Sequence, residues 1–245
     1  MKTILITGCS SGFGLETARY FLERDWRVIA TMRTPRTDLL PPSANLRVLP
    51  LDVADAASIR NVIEAAGPVD VLVNNAGIGM LGALEGTSLD KVREVFETNT
   101  FGVMAMTQAV LPQMRERKAG VVINVTSSVT LKSLPLLSVY TASKAAVNAF
   151  TESLALELAQ FNVRVNLVLP GRAPTTSFGA NAQPRMQGAI PEAYAAMAQH
   201  VFAGWQQSTE EVTQAVDVAQ AVWQAATDPA APMRIAAGAD AVALM

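Results

Sequence analysis

A tyrosine and a lysine stand four positions apart in Tyr140-Thr141-Ala142-Ser143-Lys144, within a helical sequence pattern. Positions i and i+4 of a helix share a face, so we expect the phenol and the ammonium to point into the same space. A nearby cation favours the phenolate and lowers the pKa of a tyrosine from its ordinary value of about 10. A phenol tuned in this way suits general acid–base catalysis, for example at the oxygen of a carbonyl group during its reduction.

A serine hydroxyl is the second group suited to this chemistry. Ser127 lies thirteen residues before Tyr140 and follows an apolar run that ends at Val125. Ligands of parallel sheets bind at the carboxyl ends of the strands, so we expect Ser127 and Tyr140 to emerge together there. The hydroxyl could then hold a substrate oxygen by a hydrogen bond.

A glycine-rich turn follows the first apolar run, in Thr7-Gly8-Cys9-Ser10-Ser11-Gly12-Phe13-Gly14, and leads directly into a helical pattern. Glycines let the backbone turn tightly and approach a pyrophosphate, which the N–H groups of a helix N-terminus bind. The spacing is Gly-x-x-x-Gly-x-Gly rather than the common Gly-x-Gly-x-x-Gly. The turn therefore predicts a nucleotide site, with a purely steric role for the glycines as the alternative.

The residues after the second strand indicate which nucleotide binds. NAD sites usually carry an acidic residue about 20 residues beyond the glycines, where it binds the ribose 2′-hydroxyl. Here Ala30-Thr31-Met32-Arg33 has no acid, and none follows until Asp38. The Arg33 guanidinium suits a 2′-phosphate, so NADP is favoured over NAD. The alternative is a solvated surface arginine.

The elements that position these groups follow an alternating pattern of short apolar runs and longer helical stretches. Predicted strands are Thr3–Thr7, Arg27–Thr31, Leu46–Pro50, Val69–Val73, Gly120–Val125, Val163–Leu169 and Met233–Ala236. Predicted helices are Gly12–Arg24, Asp55–Ala66, Thr87–Arg117, Tyr140–Phe161 and Thr209–Thr227. This alternation predicts an α/β fold, a single doubly wound Rossmann domain over residues 1–245 with a seven-stranded parallel sheet and helices on both faces.

Residues 172–208 interrupt the alternation, since they are rich in Ala, Gln, Met and Pro and show no strand pattern. A helical stripe runs through Ile190, Tyr194, Met197, Val201 and Trp205. Long connections of this kind are usually functional. We expect a helical substrate lid, called the lid segment below, over a hydrophobic ligand. An ordinary surface helix is the alternative.

Composition narrows the classes of function. Nineteen Lys and Arg against 21 Asp and Glu give a net charge of −2, so the chain lacks a basic footprint for nucleic acid or anionic lipid. One cysteine and one histidine exclude a disulfide framework and a His- or Cys-rich metal site. No apolar stretch approaches the roughly 18 residues of a membrane span, so we expect a soluble, cytoplasmic protein.

Several motifs in one order resemble the short-chain dehydrogenase/reductase family over almost the whole chain. They are Thr7-Gly8-x-x-x-Gly12-x-Gly14, Leu51-Asp52-Val53, Asn74-Asn75-Ala76-Gly77, Asn99, Ser127, Tyr140-x-x-x-Lys144 and Pro170-Gly171. The thirteen-residue spacing to Tyr140 selects Ser127 rather than Ser128. The glycine turn and Ala30-Thr31-Met32-Arg33 further resemble NADP-preferring members of the hydroxysteroid- and retinol-dehydrogenase type.

The resemblance implies a role for each matching residue. The four expected catalytic residues are Asn99, Ser127, Tyr140 and Lys144. Tyr140 is the expected acid/base, Ser127 orients a carbonyl, Lys144 binds a ribose and lowers the tyrosine pKa, and Asn99 holds a helix kink with a water for proton relay. Cofactor contacts are expected from Gly8, Ser10, Ser11, Gly12, Phe13, Gly14, Arg33, Asp52, Val53, Asn75, Ala76, Gly77, Tyr140, Lys144, Pro170, Gly171, Ala173 and Thr175. Asn74 is expected to tie strands together. The atypical Arg172-Ala173-Pro174 leaves open whether Thr175 or Thr176 contacts the carboxamide.

These residues predict an NADP-dependent oxidoreductase that interconverts a hydrophobic ketone or aldehyde and its alcohol. A 3-oxoacyl thioester reductase is the alternative, and it would need cations at the pocket mouth, where Lys132, Arg172 and Arg185 are available. A catalytically silent, nucleotide-sensing regulator is a third interpretation. The helix after Tyr140 is apolar around most of its circumference, and this together with the resemblance predicts a homodimer or homotetramer.

Overall fold

The computed structural model describes all 245 residues and contains seven strands. They are β1 (Thr3–Ile6), β2 (Arg27–Met32), β3 (Leu46–Pro50), β4 (Val71–Asn74), β5 (Gly120–Val125), β6 (Val163–Pro170) and β7 (Arg234–Ala237). All neighbours pair in parallel, in the order β3-β2-β1-β4-β5-β6-β7. The predicted seven-stranded parallel sheet is therefore confirmed.

Helices cover both faces of this sheet. They are α1 (Gly12–Leu22), α2 (Ala56–Ala66), α3 (Leu89–Phe96), α4 (Gly102–Arg117), α5 (Ser138–Leu158), α6 (Phe178–Met186), α7 (Ala195–Gln207), α8 (Ala215–Thr227) and α9 (Ala239–Val242). Successive β1 side chains alternate between the faces, so Ile4 and Ile6 pack with α1 and α8, while Leu5 packs with α2, α4 and α5. Strands covered on both faces explain the continuous apolar runs in the sequence.

The strand order reverses between β1 and β4, because the chain moves outward to β2 and β3 and then returns to the other side of β1. Doubly wound sheets bind ligands in the crevice outside such a reversal, at the carboxyl ends of the strands. The glycine turn leaves β1 at this edge, and Asn75 leaves β4 beside it.

Three predicted helices differ from the observed ones. The predicted Thr87–Arg117 helix consists of α3, a π-helical turn over Glu97–Phe101, and α4. The helix predicted to begin at Thr209 is α8, which begins at Ala215. A capping box marks this start and includes a hydrogen bond from the Gln214 N–H to Asp217 Oδ2 at 2.8 Å. The lid segment contains two helices, α6 and α7, rather than one continuous stripe.

A buried chain of side-chain amides and hydroxyls joins the central strands to the helices behind them. Asn74 Nδ2 donates to Asn124 Oδ1 at 2.8 Å and to Thr107 Oγ1 at 3.0 Å. Asn124 Nδ2 donates in turn to Thr151 Oγ1 at 2.8 Å. The predicted strand-tying role of Asn74 thus extends to α4 and α5, and the chain fixes α5, which carries Tyr140, against the sheet.

Polar contacts hold the lid segment against α3. Arg185 Nη2 lies 2.6 Å from Glu94 Oε1, and Lys91 Nζ donates to the carbonyl of Gln187 at 2.6 Å. Tyr194 Oη also donates to Glu85 Oε2 at 2.8 Å.

None of the helices is both long enough and apolar enough to cross a membrane.

We predict that Asn124→Ala lowers the free energy of unfolding by about 1–3 kcal/mol, because it leaves the Thr151 hydroxyl without its buried donor and removes an acceptor from Asn74. Urea unfolding followed by circular dichroism measures the loss. Asn61→Ala, on the exposed face of α2, is the matched control and is expected to stay within about 0.5 kcal/mol of the wild type. Equal effects of the two substitutions would contradict the assigned role.

Candidate active site

The glycine turn is packed directly against the residues that follow β4. Gly8 has a φ of +75°, and a Cβ on it would lie 2.8 Å from the Cα of Ala76. Gly12 is also left-handed, with a φ of +57°. A Cβ on Gly14 would overlap the carbonyl of Gly8 and the side-chain amide of Asn75. The glycines therefore allow a close approach of two backbones, which is the steric role that the sequence analysis gives as the alternative to a nucleotide site.

Thr7 joins the ends of β1 and β4. Its hydroxyl accepts the N–H groups of Asn75 at 3.0 Å and Ala76 at 2.9 Å. Asn75 Nδ2 donates back to the carbonyls of Thr7 at 2.9 Å and Gly8 at 3.2 Å. Four hydrogen bonds thus hold the turn, Asn75 and Ala76 as one unit, which makes the floor of the crevice rigid.

The N-terminus of α1 is open to an anion. Ser11, at its N-cap position, has an extended backbone, and its side chain caps none of the first N–H groups. Ser10 is exposed, and Ser11, Gly12 and Phe13 are half-buried, so this end of the helix faces solvent. The geometry fits the pyrophosphate of a dinucleotide, as the sequence predicts.

Arg33 lies beside this turn at the end of β2. Two residues earlier, the carbonyl of Thr31 accepts the N–H of Cys9 at 2.8 Å, which brings the end of β2 against the glycine turn. Arg33 is exposed and has neither a hydrogen-bond nor an ion-pair partner within the chain. By contrast, Arg36 pairs with Asp38 at 2.8 Å. Of the two arginines that follow β2, Arg33 is thus the one that no carboxylate neutralises.

Asp52 and Val53 follow β3 at the same edge of the sheet. Asp52 is exposed, and its Oδ1 accepts the N–H of Ala54 at 2.9 Å. Val53 is half-buried, and a Cβ on Gly102 would lie 2.9 Å from its Cγ2. The residues expected beside an adenine therefore form a short turn that packs against the start of α4.

Tyr140, Lys144 and Ser127 are brought together as expected, and all three are buried, with exposed fractions of 7%, 4% and 8%. Lys144 Nζ lies 6.0 Å from the centroid of the Tyr140 ring and donates to the carbonyl of Val125 at 3.1 Å. The Ser127 hydroxyl is close enough to the phenol to affect its pKa, and it also accepts the N–H of Val129 at 3.3 Å.

The ionisation of this pair is governed by burial. Burial raises the pKa of Tyr140 well above its usual value of about 10, and the hydrogen bond with Ser127 offsets only part of that rise. Burial also lowers the pKa of Lys144 from 10.5 to about 8. The pKa of Tyr140 is therefore raised in the protein without cofactor, and not lowered by Lys144 as expected. Desolvation of the phenol outweighs the influence of its polar neighbours.

Asn99 lies in the π-helical turn and is fully buried. Its amide forms two hydrogen bonds with the backbone of Ile78, to the N–H at 2.8 Å and the carbonyl at 2.9 Å, and a third with Ser143 Oγ at 3.1 Å. A Cβ on Gly77 would lie 3.3 Å from Asn99 Oδ1 and 3.4 Å from Lys144 Nζ. Asn99 therefore holds the chain after β4 against α5, and Gly77 leaves room beside both polar groups.

The segment after β6 borders the glycine turn through Thr176, one of the two threonines between which the sequence does not decide. Pro170 ends β6, Gly171 and Ala173 are half-buried, and Thr175 is exposed. A Cβ on Gly12 would lie 3.4 Å from the Cβ of Thr176, whose hydroxyl donates to the carbonyl of Ala173 at 2.9 Å. Thr176 therefore faces the glycine turn, whereas Thr175 is exposed to solvent.

Phe178 on α6 covers the candidate catalytic tyrosine, a contact that the sequence did not indicate. The two ring centroids are 5.6 Å apart in an edge-on arrangement. A Cβ on Gly79 would lie 2.7 Å from Phe178 Cε1 and 3.2 Å from the Cβ of Ala182. The absence of a side chain at Gly79 thus allows α6 to pack over the site. Lys132 and His200 are exposed.

Comparison with known proteins agrees with this geometry. The sequence profile described as short chain dehydrogenase matches residues 2–186. Human retinol dehydrogenase 8 is 42% identical over 185 residues, which cover 71% of this chain and 60% of that protein. The 3-ketodihydrosphingosine reductase of Bacteroides thetaiotaomicron is 42% identical over 174 residues, which cover 69% of this chain and 63% of that protein. The matched region thus spans about three fifths of these curated relatives.

Solved structures extend the similarity to nearly the whole chain. A short-chain dehydrogenase from Streptomyces avermitilis has a TM-score of 0.83 and 36% identity, covering 99% of this chain and 90% of that one. A closed form of serine dehydrogenase complexed with NADP+ has a TM-score of 0.81 and 29% identity, covering 96% and 94%. A short-chain dehydrogenase/reductase from Burkholderia phymatum in complex with NAD has a TM-score of 0.79 and 25% identity, covering 96% and 88%.

One conclusion follows from the glycine turn at the strand reversal, from the buried Tyr140 and Lys144, and from the matching profile. The chain belongs to the short-chain dehydrogenase/reductase family of oxidoreductases, with a likeness to retinol and hydroxysteroid dehydrogenases.

Proposed function

We propose that this protein is an NADP-dependent oxidoreductase that interconverts a hydrophobic ketone or aldehyde and its alcohol, with Tyr140 as the acid/base. One observation carries the proposal. Tyr140, Ser127 and Lys144 are buried together at the sheet edge where the glycine turn and the open N-terminus of α1 also lie. A proton donor and a nucleotide cradle at one edge are the parts that carbonyl reduction requires.

The residues around the crevice fit a nicotinamide dinucleotide. The N–H groups of the glycine turn and α1 bind the pyrophosphate, and Asp52 and Val53 border the adenine. Asn75, Ala76 and Gly77 line its path toward Lys144. Pro170, Gly171, Ala173 and Thr176 hold the carboxamide end. When bound, the cofactor supplies or accepts the hydride.

The protein groups divide the proton chemistry among them. In reduction, the Tyr140 phenol donates its proton to the carbonyl oxygen, while the Ser127 hydroxyl orients that oxygen by a hydrogen bond. The phenol, whose pKa burial raises, is protonated at neutral pH and is therefore in the form that can donate a proton. Lys144 remains mostly charged at neutral pH and uses one of its three N–H donors on Val125, so two remain for ribose hydroxyls.

Two features of the lid segment support a hydrophobic substrate: the aromatic ring that it places beside Tyr140, and the fact that most of the cations near it already have partners within the protein. Phe178 presents an aromatic surface next to Tyr140. Of the three cations that an anionic carrier would use, Arg185 is paired with Glu94, and Arg172 is hydrogen-bonded to Trp205 and Ser208, which leaves the exposed Lys132. The names of the relatives, a retinol dehydrogenase and a 3-ketodihydrosphingosine reductase, also denote apolar substrates. A 3-oxoacyl thioester on a carrier is therefore the less favoured substrate, and a silent nucleotide sensor would not need the three buried polar groups.

A homodimer or homotetramer forms part of the proposal, with a cytoplasmic location as a prediction from composition. The outer face of α5 supports the assembly, because Leu156 is 82% exposed, and Phe101 beside the start of α4 is 53% exposed. Packing of these two side chains against a second copy of the chain would remove their apolar surface from water.

Tyr140→Phe is expected to retain NADPH binding and to lose turnover by a factor of about 100 to 10,000, because the phenol is the proton donor. NADPH oxidation is followed with retinaldehyde, estrone, 3-ketodihydrosphingosine and acetoacetyl thioester as substrates. Tyr20→Phe, in the aromatic cluster on α1, is the matched control and is expected to keep full turnover. Turnover by Tyr140→Phe at the wild-type rate would overturn the proposed catalysis.

Arg33→Ala is expected to weaken NADPH binding about 10- to 100-fold and to leave NADH binding unchanged, because only NADPH carries the 2′-phosphate. Fluorescence titration of both cofactors measures the two dissociation constants. Arg36→Ala removes an arginine that already pairs with Asp38 and serves as the control. Equal weakening of both cofactors by Arg33→Ala would contradict the assigned role.

Leu156→Arg is expected to shift the protein from a dimer or tetramer to smaller species, because a charge replaces an apolar side chain in the contact. Size-exclusion chromatography with light scattering measures the mass of each species. Glu64→Arg, on the exposed face of α2, is the control for adding a positive charge. A monomeric wild type, or a variant with the wild-type mass, would refute this part of the proposal.

A further inference from the structure

The lid segment begins and ends at the same point of the fold. The N–H of Thr213 donates to the carbonyl of Arg172 at 2.9 Å, and the N–H of Gly171 donates to Thr213 Oγ1 at 2.8 Å. Thr213 is fully buried. The chain that leaves β6 therefore returns to within a hydrogen bond of its departure point, and we call residues 171–172 and residue 213 the two hinges.

The carboxylate of Asp240, on the C-terminal helix α9, bridges these hinges. Its Oδ2 accepts the N–H of Arg172 at 2.6 Å, and its Oδ1 accepts the hydroxyl of Thr213 at 2.7 Å. A Cβ on Gly171 would overlap this carboxylate. Each oxygen thus binds a different end of the lid segment, and the glycine allows the close approach.

The chain around Asp240 is shaped to bring it there. Gly238 has a φ of +94°, and a Cβ on it would overlap the Thr213 hydroxyl. That hydroxyl also lies 2.8 Å from the carbonyl of Ala237, at the end of β7. The strand, its terminal glycine and α9 therefore hold the carboxylate against both hinges.

Arg172 extends the connection from its hinge into the lid segment. Its Nη1 donates to the carbonyl of Trp205 at 2.9 Å and its Nη2 to Ser208 Oγ at 3.1 Å, both at the end of α7. A displacement of the Arg172 backbone would therefore move the end of α7 as well.

We propose that Asp240 is a positioning residue that clamps both hinges of the lid segment and thereby fixes the Gly171 backbone beside the nicotinamide site. The effect on the nicotinamide site rests on the proposed function, whereas the clamp itself rests only on the hydrogen bonds of Asp240. Asparagine at this position keeps the size of the side chain but removes the negative charge that strengthens both hydrogen bonds, and its NH2 group cannot accept from the Thr213 hydroxyl. Asp240→Asn should therefore loosen the hinges without emptying the space.

The first experiment compares hydrogen–deuterium exchange of the protein alone for wild type, Asp240→Asn and Asp228→Asn. Asp228 is the matched control, since its carboxylate accepts only the local N–H of Ala230. We expect peptides that contain Arg172 and Thr213 to exchange at least about tenfold faster in Asp240→Asn alone, with β1, β4 and β5 unchanged. Unchanged hinge exchange, or faster exchange spread over the whole sheet, would overturn the clamp.

The second experiment measures NADPH binding by fluorescence titration in the same proteins. The clamp predicts a dissociation constant about tenfold higher for Asp240→Asn and unchanged for Asp228→Asn. Loosened hinges with an unchanged dissociation constant would refute the link to the nicotinamide site. Wild type that binds neither NADPH nor NADH would refute the proposed function instead, and the exchange data would still decide the clamp.

Thr213→Val removes the other partner of the same contact and tests whether the hinges act as one unit. If they do, Thr213→Val should reproduce the local exchange increase, and the double variant with Asp240→Asn should add little to either single one. Fully additive effects would contradict a shared clamp. This variant also decides the matter if Asp240→Asn does not fold.

Discussion

The burial of the Lys144 ammonium is the constraint on which the candidate site depends. A charged group removed from water needs hydrogen-bond acceptors, yet Lys144 has three donors and a single acceptor in the protein, the carbonyl of Val125. Burial lowers its pKa to about 8, because removal from water disfavours the charged form. Protein folds do not normally retain a buried, partly satisfied lysine for stability. The proposed nicotinamide nucleotide explains it, because its ribose hydroxyls are the acceptors that the protein lacks.

The surrounding structure keeps this lysine in place from two directions. On the helix side, Ser143 accepts from Asn99, and its carbonyl accepts the Thr100 hydroxyl at 3.0 Å, so the π-helical turn is locked to α5. On the sheet side, the chain of Asn74, Asn124 and Thr151 fixes the same helix. A π-helical turn re-aims one side chain within a helix and is frequent at functional sites. Here it turns the Asn99 amide toward the chain after β4.

Local patterns were sufficient for the framework and most of the site. Apolar runs covered on both faces identify parallel strands, the glycines after the first run identify the turn, and the four-residue spacing of Tyr140 and Lys144 identifies the candidate catalytic pair. These features depend on neighbours in the sequence. The π-helical turn was not predicted from such a pattern, because one extra residue in Glu97–Phe101 hardly disturbs the apolar periodicity of α3 and α4.

Features that arise from distant contacts were not readable from the sequence. Burial of the Tyr140 ring determines whether its pKa rises or falls, and the packing of Phe178 over the ring contributes to that burial. Which of Thr175 and Thr176 faces the glycine turn depends on the contact between Thr176 and Gly12, which are far apart in the sequence. The contact of Asp240 with Arg172 joins residues 68 positions apart, and no spacing rule relates them. Burial and long-range contacts therefore set the chemistry of groups whose identity the sequence had already indicated.

Proton uptake on cofactor binding tests the central claim most directly. Isothermal titration of Tyr140→Phe with NADP+, in buffers of different ionisation enthalpy, isolates Lys144 from the phenol. If bound ribose hydroxyls satisfy the ammonium, its pKa rises, and binding takes up nearly one proton at about pH 9 and almost none at about pH 6.5. No uptake at about pH 9 would contradict the account, since Lys144 would then gain nothing from the nucleotide.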